Sequence, residues 1–318
     1  MGNRPFFIVG SGRSGTTLLR AILDARDDVR IPGETHFYTT YRVENIFRYH
    51  FLTKNNYEKA VRNYKLWRHV SYESLDWDVF CDVALKLPPK RSSILSAYLS
   101  TCACCEGAAF YGEKTPGHIR KIDRIFADFP TSKVIHVSRD PRAVAASYLK
   151  HSLYASVYGN DVTRAAKKWL EAAKVDEKIS NSVLAHRYLL VTYEDLVNST
   201  DSTILRINRF LELPKFPQQL QQYESSVVSL PDSPNHQQIG QPINSSSLYS
   251  WKHELAESDI ELVEAICGKY LVRQNYELSG VSSISKVRRI VHEARYYYSF
   301  FRKNIGRLMR AVSNFQRS

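Results

Sequence analysis

The feature that most constrains this chain is a glycine-rich loop close to its start. Residues 6–9 read Phe-Phe-Ile-Val, a short run with high β-propensity, and residues 18–23 have helical character. Between them, residues 10–17 read Gly-Ser-Gly-Arg-Ser-Gly-Thr-Thr. Glycines let successive backbone N–H groups converge, and the following helix adds the partial positive charge of its N-terminus. The order of strand, loop and helix therefore predicts an anion site at the end of the first strand.

The polar side chains of this loop favour a phosphate group as the anion. Arg13 can supply a fixed cation inside the loop. The hydroxyls of Thr16 and Thr17 can cap the helix or reach a phosphate oxygen. We therefore expect a phosphate-bearing ligand at this position.

Two widespread nucleotide-binding motifs fit the loop only in part. A Walker A loop requires a lysine where Thr16 stands, which argues against an ordinary ATPase or GTPase. Gly10, Gly12 and Gly15 also satisfy the dinucleotide pattern G-x-G-x-x-G, and Glu34 lies near the position of a ribose-binding acid. This short pattern is weak by itself, so the rest of the chain has to decide between the motifs.

Further along the chain, short apolar runs alternate with helical stretches. Strands are predicted at residues 29–31, 110–114, 133–137 and 188–191. Helices are predicted at residues 94–105, 116–129, 143–150, 162–179 and 255–271, with Pro141 suited to a first helical position. The alternation predicts an α/β fold with a parallel sheet flanked by helices, in which ligands bind at the carboxyl ends of the strands.

A second polar cluster follows the strand predicted at residues 133–137. Arg139 and Arg142 lie in the turn after this strand, and Ser147 comes eight residues after Arg139. Arg139 at the strand end and Ser147 two turns into the next helix can hold one phosphate group from two sides. A dinucleotide-binding fold has no need of a second phosphate site, so this cluster argues against that alternative.

Together the two segments resemble the P-loop sulfotransferase family. Residues 11–18, SGRSGTTL, resemble the loop that replaces a Walker A motif in this family. Residues 134–151, VIHVSRDPRAVAASYLKH, resemble its segment for the 3′-phosphate of 3′-phosphoadenosine 5′-phosphosulfate. The motif is closest to the protein-tyrosine sulfotransferase type and to similar bacterial sulfotransferases, in which an acidic segment such as Pro-Gly-Glu-Thr at residues 32–35 follows.

The resemblance implies a P-loop NTPase-like sulfotransferase fold and a reaction. A sulfuryl group would move from 3′-phosphoadenosine 5′-phosphosulfate to a hydroxyl of an acceptor, which is a carbohydrate, a lipid, a small molecule or a tyrosine. The nucleotide product would be adenosine 3′,5′-bisphosphate. A sulfuryl group carries one negative charge fewer than a phosphoryl group, so cations and backbone amides can replace a metal ion, and none is expected.

The resemblance also assigns roles to individual residues. Glu34 is the expected general base, with His36 as the second choice. Arg13 and Lys114 are the expected catalytic cations. The residues expected to bind the nucleotide are Arg13, Ser14, Gly15, Thr16, Thr17, Arg139, Ser147 and Tyr193.

Other readings of the same features remain open. One is a nucleotide-dependent kinase, which would need Mg²⁺ and a carboxylate at a strand end. Another is a catalytically silent nucleotide-binding protein that acts as an interaction module. The net charge of +12 also permits nucleic-acid binding, but no recognised nucleic-acid motif accompanies it, so no such partner is expected.

Cysteine usage and the start of the chain indicate the expected compartment. Five cysteines, three of them at residues 102–105, fit neither a disulfide framework nor a zinc pattern, and we interpret them as reduced helix residues. His118 and His136 show no metal-ligand spacing and are expected to be structural. Too few apolar residues precede the glycine loop for a signal peptide, so a cytoplasmic location is expected.

The end of the chain is predicted to differ from the rest. We expect a sulfotransferase domain at residues 1–280, with a helical insertion on the acceptor side at 37–105, and a basic amphipathic helix at 281–318. Residues 286–318 hold nine Lys or Arg and one Glu. Packing of this helix against the domain, docking on an anionic membrane surface and formation of a homodimer are the three interpretations, in that order.

Overall fold

The computed structural model divides the chain into two compact units. The first unit comprises residues 1–139 and 172–246, and the second comprises residues 140–171 and 247–318. The residues that the structure describes are 4–39, 54–66, 75–150, 162–214, 223, 245 and 247–279.

Among its described residues, the first unit contains a parallel sheet of five strands. The strands are β1 Phe6–Gly10, β2 Val29–Arg30, β3 Phe110–Lys114, β4 Val134–Ser138 and β5 Tyr188–Thr192. Their order across the sheet is β2-β3-β1-β4-β5, and every neighbouring pair is parallel. Since the carboxyl ends of parallel strands meet at one edge, the segments that follow these strands come together there. This sheet confirms the predicted fold class.

Both faces of the sheet are buried, as expected for a parallel sheet. Successive side chains of β1 point to opposite faces. Phe6 and Ile8 belong to one hydrophobic core, and Phe7 and Val9 belong to another. The continuous apolar run of β1 therefore follows from its burial on two sides.

Helices account for most of the remaining described chain. Their bounds are α1 Thr16–Asp24, α2 Lys54–Asn63, α3 Trp77–Lys86, α4 Arg91–Cys105, α5 Ile122–Asp128, α6 Pro141–Lys150, α7 Val162–Ser180, α8 Tyr193–Asn198, α9 Thr200–Leu211, α10 Trp251–Glu254 and α11 Glu257–Arg273. Pro141 is the first residue of α6, as predicted. Among the described residues, none of these helices is long and apolar enough to cross a lipid bilayer.

The predicted helix at residues 116–129 divides into two parts. Pro116–Lys121 forms a 3₁₀ helix, and only Ile122–Asp128 is an α-helix. The His118 amide closes a tight turn onto the Thr115 carbonyl at 3.0 Å, while the His118 side chain is buried against Glu113 at 2.8 Å. The tighter coil allows this contact back to the end of β3.

In the predicted insertion at residues 37–105, the structure describes three α-helices, a 3₁₀ helix at Tyr64–Leu66 and short irregular segments between them. The helices α2, α3 and α4 lie here, and residues 40–53 and 67–74 lie outside the described part. Tyr64 anchors these helices, because its ring packs 5.7 Å from that of Phe80 and 5.6 Å from that of Tyr98. Contacts between these large buried rings explain why aromatic residues stand at these three positions.

The second unit is organised around a buried arginine at the start of α6. Arg142 donates to Asp140 at 2.7 Å and to Glu264 of α11 at 2.6 Å. Its guanidinium also lies 4.1 Å from the ring centroid of Trp251 in α10. Arg142 therefore holds three elements of this unit together.

Candidate functional site

The glycine loop turns into α1 through a residue that must be glycine. Gly15 is the N-cap of α1 and has a φ of 94°, in the left-handed region that glycine adopts at little cost. A side chain at this position would collide with the ring of Tyr193. The aromatic ring therefore packs directly against the backbone at the start of the helix.

The rest of the loop is ordered by its own hydroxyl groups. The Ser14 side chain is buried and donates to the carbonyl of Ser11. Thr16 is also buried, while Arg13, with a φ of 69°, is half-buried. Gly15 offers no side chain to cap α1, and anion binding by the first-turn amides of this helix stays a prediction.

Lys114 connects this loop to the predicted general base. It is the last residue of β3, and its side chain is buried. The ammonium donates to Oε1 of Glu34 at 2.6 Å and to Oγ1 of Thr17 at 3.3 Å. Glu34, Lys114 and Thr17 come from three separate parts of the chain, and the sheet edge brings them together.

The charge state of Glu34 is set by these neighbours. Burial raises the pKa of Glu34, but Lys114 and His36 outweigh it and lower the pKa to about 2. Nε2 of His36 lies 3.3 Å from Oε2 of Glu34, so the two candidate bases share one site. Glu34 is therefore ionised at neutral pH and can accept a proton.

Burial raises the pKa of Glu34 but lowers the pKa of its partner Lys114. Desolvation lowers the pKa of Lys114 below its ordinary value, and the carboxylate of Glu34 opposes that shift. A buried cation of this kind needs an anionic partner. Lys114 is thus suited to share its charge between Glu34 and an anion beside Thr17.

A second cation stands at the end of β4. The guanidinium of Arg139 is nearly buried and lies 4.4 Å from the ring centroid of Tyr193. Thr192 ends β5 and caps α8 by accepting from the Asp195 amide at 3.0 Å, which places Tyr193 at the first helical position. Arg139, Tyr193 and the backbone of Gly15 therefore form one stack at the carboxyl edge of the sheet.

The two remaining residues of the second polar cluster belong to α6. Ser147 is half-buried and lies in the second unit, so its pairing with Arg139 stays a prediction. Arg142 is engaged by Asp140, Glu264 and Trp251. Of the two arginines in this turn, Arg142 therefore has a structural role.

Sequence reasoning missed a buried polar group next to Lys114. Glu113, Thr115 and His118 are all buried and contact the segment that carries Glu34. The sequence did offer one signal, the acidic residue at position 113. Successive strand residues point to opposite faces of the sheet, and the face opposite to Lys114 is buried. In the described part of the chain, no group of three or more His, Cys, Asp or Glu is arranged to hold a metal ion.

Known proteins resemble this chain in fold and sequence. A sulfotransferase domain from the curacin biosynthetic pathway has a TM-score of 0.60 and 21% identity, and covers 87% of this chain and 100% of that domain. The sulfotransferase domain of the Synechococcus PCC 7002 olefin synthase has a TM-score of 0.58 and 20% identity, covering 87% of this chain and 97% of its own length. These two similarities confirm the fold.

Sequence relatives extend the comparison. Protein-tyrosine sulfotransferase 1 of Danio rerio is 25% identical over 283 residues, which cover 85% of this chain and 72% of the relative. Protein-tyrosine sulfotransferase A of Caenorhabditis elegans is 24% identical over 269 residues, covering 82% of this chain and 65% of the relative. The profile of the sulfotransferase family matches residues 5–218. The chain therefore belongs to the sulfotransferase family, and the predicted enzyme class, a sulfotransferase, is confirmed.

Proposed function

We propose that the enzyme takes its sulfuryl group from 3′-phosphoadenosine 5′-phosphosulfate and transfers it to a hydroxyl of an acceptor. The observation that carries this proposal is the position of Lys114, whose ammonium contacts both Glu34 and Thr17. One buried cation thus joins a carboxylate that can accept a proton to the loop predicted to bind a phosphate.

The residues present fit such a donor. The loop offers the amides at the start of α1, the Thr17 hydroxyl and the cation of Lys114 to an anionic group. Arg139 supplies a further cation, and the ring of Tyr193 beside it offers an apolar face to a nucleoside. Together they provide donors for phosphate groups and a surface for a base.

The donor supplies, when bound, a sulfuryl group on a phosphate leaving group. Glu34 accepts the proton of the acceptor hydroxyl as the oxygen of that hydroxyl forms its bond to sulfur. Lys114 and the amides of the loop stabilise the charge that develops on the leaving phosphate as the old oxygen–sulfur bond breaks. We propose that these cations make a metal ion unnecessary.

The pairing of Glu34 with Lys114 also controls the strength of the base. Because Lys114 lowers the pKa of Glu34, the carboxylate is a weak base while the pair is intact. An anion bound beside Thr17 competes for the ammonium of Lys114 and so raises the basicity of Glu34. His36 remains the second candidate base because it contacts the same carboxylate.

For the acceptor, we propose to test tyrosine side chains first. This choice is supported by two relatives that are named protein-tyrosine sulfotransferases. Carbohydrates, lipids and small molecules that carry a hydroxyl follow, since the same base and cations serve any of them.

The test of this proposal is the variant Glu34→Gln, which keeps the shape of the side chain. Turnover, measured as release of adenosine 3′,5′-bisphosphate, should fall by about a hundredfold, the effect expected for a general base. Affinity for adenosine 3′,5′-bisphosphate should not fall, because Arg139 and the loop are unchanged and a neutral amide competes less for the ammonium of Lys114. Near-normal turnover would transfer the role to His36, and His36→Gln is the matched variant.

We also propose a peripheral association with anionic membranes through the basic segment at residues 281–318, for a protein located in the cytoplasm. The support is the excess of nine Lys or Arg over one Glu in residues 286–318, together with the amphipathic helix predicted there. These residues lie outside the described part of the chain. Packing of the segment against the domain and a homodimer through the same segment are the alternatives.

A further inference from the structure

The segment that carries Glu34 has no regular secondary structure of its own. Residues 31–36 belong to no helix or strand, although Glu34 must be held at a fixed place against Lys114. The backbone of His36 has a φ of 49°, in the left-handed region that residues with a side chain rarely adopt. Such a conformation persists only where the surroundings determine it, and it therefore requires specific contacts.

The start of the segment is held by α1. The Ile31 amide donates to Asp24 at 2.6 Å, and the Ile31 carbonyl accepts from Arg20 at 2.8 Å. Both backbone groups of Ile31 are therefore bound by side chains of the helix that follows the glycine loop.

The other end of the segment is held by Glu113, a fully buried carboxylate at the end of β3. The Thr35 hydroxyl donates to Glu113 at 2.8 Å, and the Thr35 amide lies at 3.4 Å from the same oxygen. The Thr115 hydroxyl donates to that oxygen at 2.5 Å and in turn accepts from the His36 amide at 3.2 Å. The Thr35 amide thus reaches Glu113 directly, and the His36 amide reaches it through the Thr115 hydroxyl.

His118 completes this group through both of its ring nitrogens. Nε2 accepts from the Tyr38 amide at 3.1 Å, so the proton of a neutral ring must be on Nδ1. Nδ1 then donates to Glu113 at 2.8 Å. Burial raises the pKa of Glu113, but His118 and the hydroxyls of Thr115 and Thr35 outweigh it and lower the pKa below its ordinary value.

We propose that Glu113, Thr115 and His118 are positioning residues that hold Glu34 in place through the backbone of residues 35–38. This inference rests on the proposed role of Glu34 as the general base. Glu113 and Lys114 are adjacent in β3. Glu113 holds the segment in place, and Lys114 contacts the carboxylate of Glu34 that this segment carries. A small shift of the segment would move Glu34 away from the acceptor hydroxyl, and such shifts are costly in catalysis.

The sharpest test compares two buried threonines. Thr35→Val removes the hydroxyl that donates to Glu113 at 2.8 Å, and Thr203→Val removes a buried hydroxyl that donates to the Asp195 carbonyl at 3.0 Å. Both changes keep a β-branched side chain of similar shape. Thr203 lies in α9, and its hydroxyl bonds to the backbone of α8 and not to Glu113 or to residues 35–38, so it controls for a general loss of stability.

Three readouts are made on the full chain. Amide hydrogen exchange at residues 35–38 should become about tenfold faster in Thr35→Val and stay unchanged in Thr203→Val. Turnover of 3′-phosphoadenosine 5′-phosphosulfate, followed as nucleotide release with a tyrosyl peptide present, should fall between about tenfold and about a hundredfold only in Thr35→Val. Affinity for adenosine 3′,5′-bisphosphate should remain within about threefold in both variants.

Glu113→Gln is the stronger second variant, because its amide cannot accept from the Nδ1 proton and both hydroxyls at once. It should give the same pattern with larger effects. Equal losses of turnover in the two threonine variants, or unchanged exchange at residues 35–38, would overturn the positioning role. If instead Glu34→Gln kept its turnover, the base assignment would fail, while the exchange data would still decide whether this group holds the segment.

Discussion

Gly15 is the residue whose replacement tests the site geometry most sharply. Its φ of 94° is unfavourable for any residue with a side chain, and a Cβ atom would meet the ring of Tyr193. The same ring lies 4.4 Å from the guanidinium of Arg139, so a displaced ring also disturbs the second cation. Gly15→Ala adds a single methyl group and perturbs the loop backbone, the ring of Tyr193 and the guanidinium of Arg139.

The expected cost has two parts. Placing alanine in the left-handed region costs about 1–2 kcal/mol. Forcing a methyl group into the space of a packed ring costs about 1–3 kcal/mol more. The free energy of unfolding should therefore fall by about 2–5 kcal/mol, and affinity for adenosine 3′,5′-bisphosphate should fall with it.

Gly107 provides the matched control. It is exposed after the end of α4, has a φ of 70°, and a Cβ atom there would meet nothing within 4 Å. Gly107→Ala should therefore cost only the backbone part, about 1–2 kcal/mol.

Urea unfolding of both variants, and of Gly15→Ala in a Tyr193→Ala background, measures the two parts separately. Once the ring is removed, Gly15→Ala should cost no more than Gly107→Ala, so the double variant should be less destabilised than the sum of its single changes. Two results would refute the packing of Tyr193 against the loop. One is that Gly15→Ala costs no more than Gly107→Ala in the wild-type background. The other is that the costs of Gly15→Ala and Tyr193→Ala add in full in the double variant.

The remaining predictions concern pH, the second unit and the basic segment. Burial lowers the pKa of His136 to about 3, so between about pH 6.5 and pH 3 the unfolded chain binds a proton that the folded chain does not. In that window this proton should lower the free energy of unfolding by about 1.4 kcal/mol for each pH unit of acidification. Urea unfolding of His136→Phe should show a pH dependence of the unfolding free energy that is smaller by that amount. Arg142→Met should cost about 3–5 kcal/mol, because Asp140 and Glu264 are left buried without their cation. Lys178, whose ion pair with Asp123 is exposed, provides the control, and Lys178→Met should cost less than about 1 kcal/mol. Equal losses of unfolding free energy in the two variants would contradict the structural role of Arg142. Sedimentation with anionic vesicles should be lost when the chain is truncated after Gly280, and failure of the intact chain to bind at low salt would remove the membrane proposal.

The fold was predictable because its determinants are local. The apolar runs of β1 and β4, the glycines of the loop and the proline at the start of α6 each specify their own conformation. Alternation of these elements then leaves a parallel sheet as the arrangement that buries them.

The contacts around Glu34 could not be predicted in the same way. Thr35 and Glu113 are 78 residues apart, and only the register of β3 brings them together. The 3₁₀ helix at Pro116–Lys121 depends on the same tertiary contact, since it carries His118 to Glu113. The sequence also could not show the structural role of Arg142, because that role depends on partners that are distant in the chain, Glu264 and Trp251.

The measurement that tests the central claim most directly is a calorimetric titration with two nucleotides in the presence of a chelator. The wild-type enzyme should bind adenosine 3′,5′-bisphosphate more tightly than adenosine 5′-monophosphate by about 1.5–3 kcal/mol, the contribution of a hydrogen bond to a charged group. Arg139→Ala should abolish most of this difference and leave the affinity for the monophosphate nearly unchanged. Equal affinities of the wild-type enzyme for the two nucleotides, or equal losses for both in Arg139→Ala, would contradict the proposed donor and its binding site.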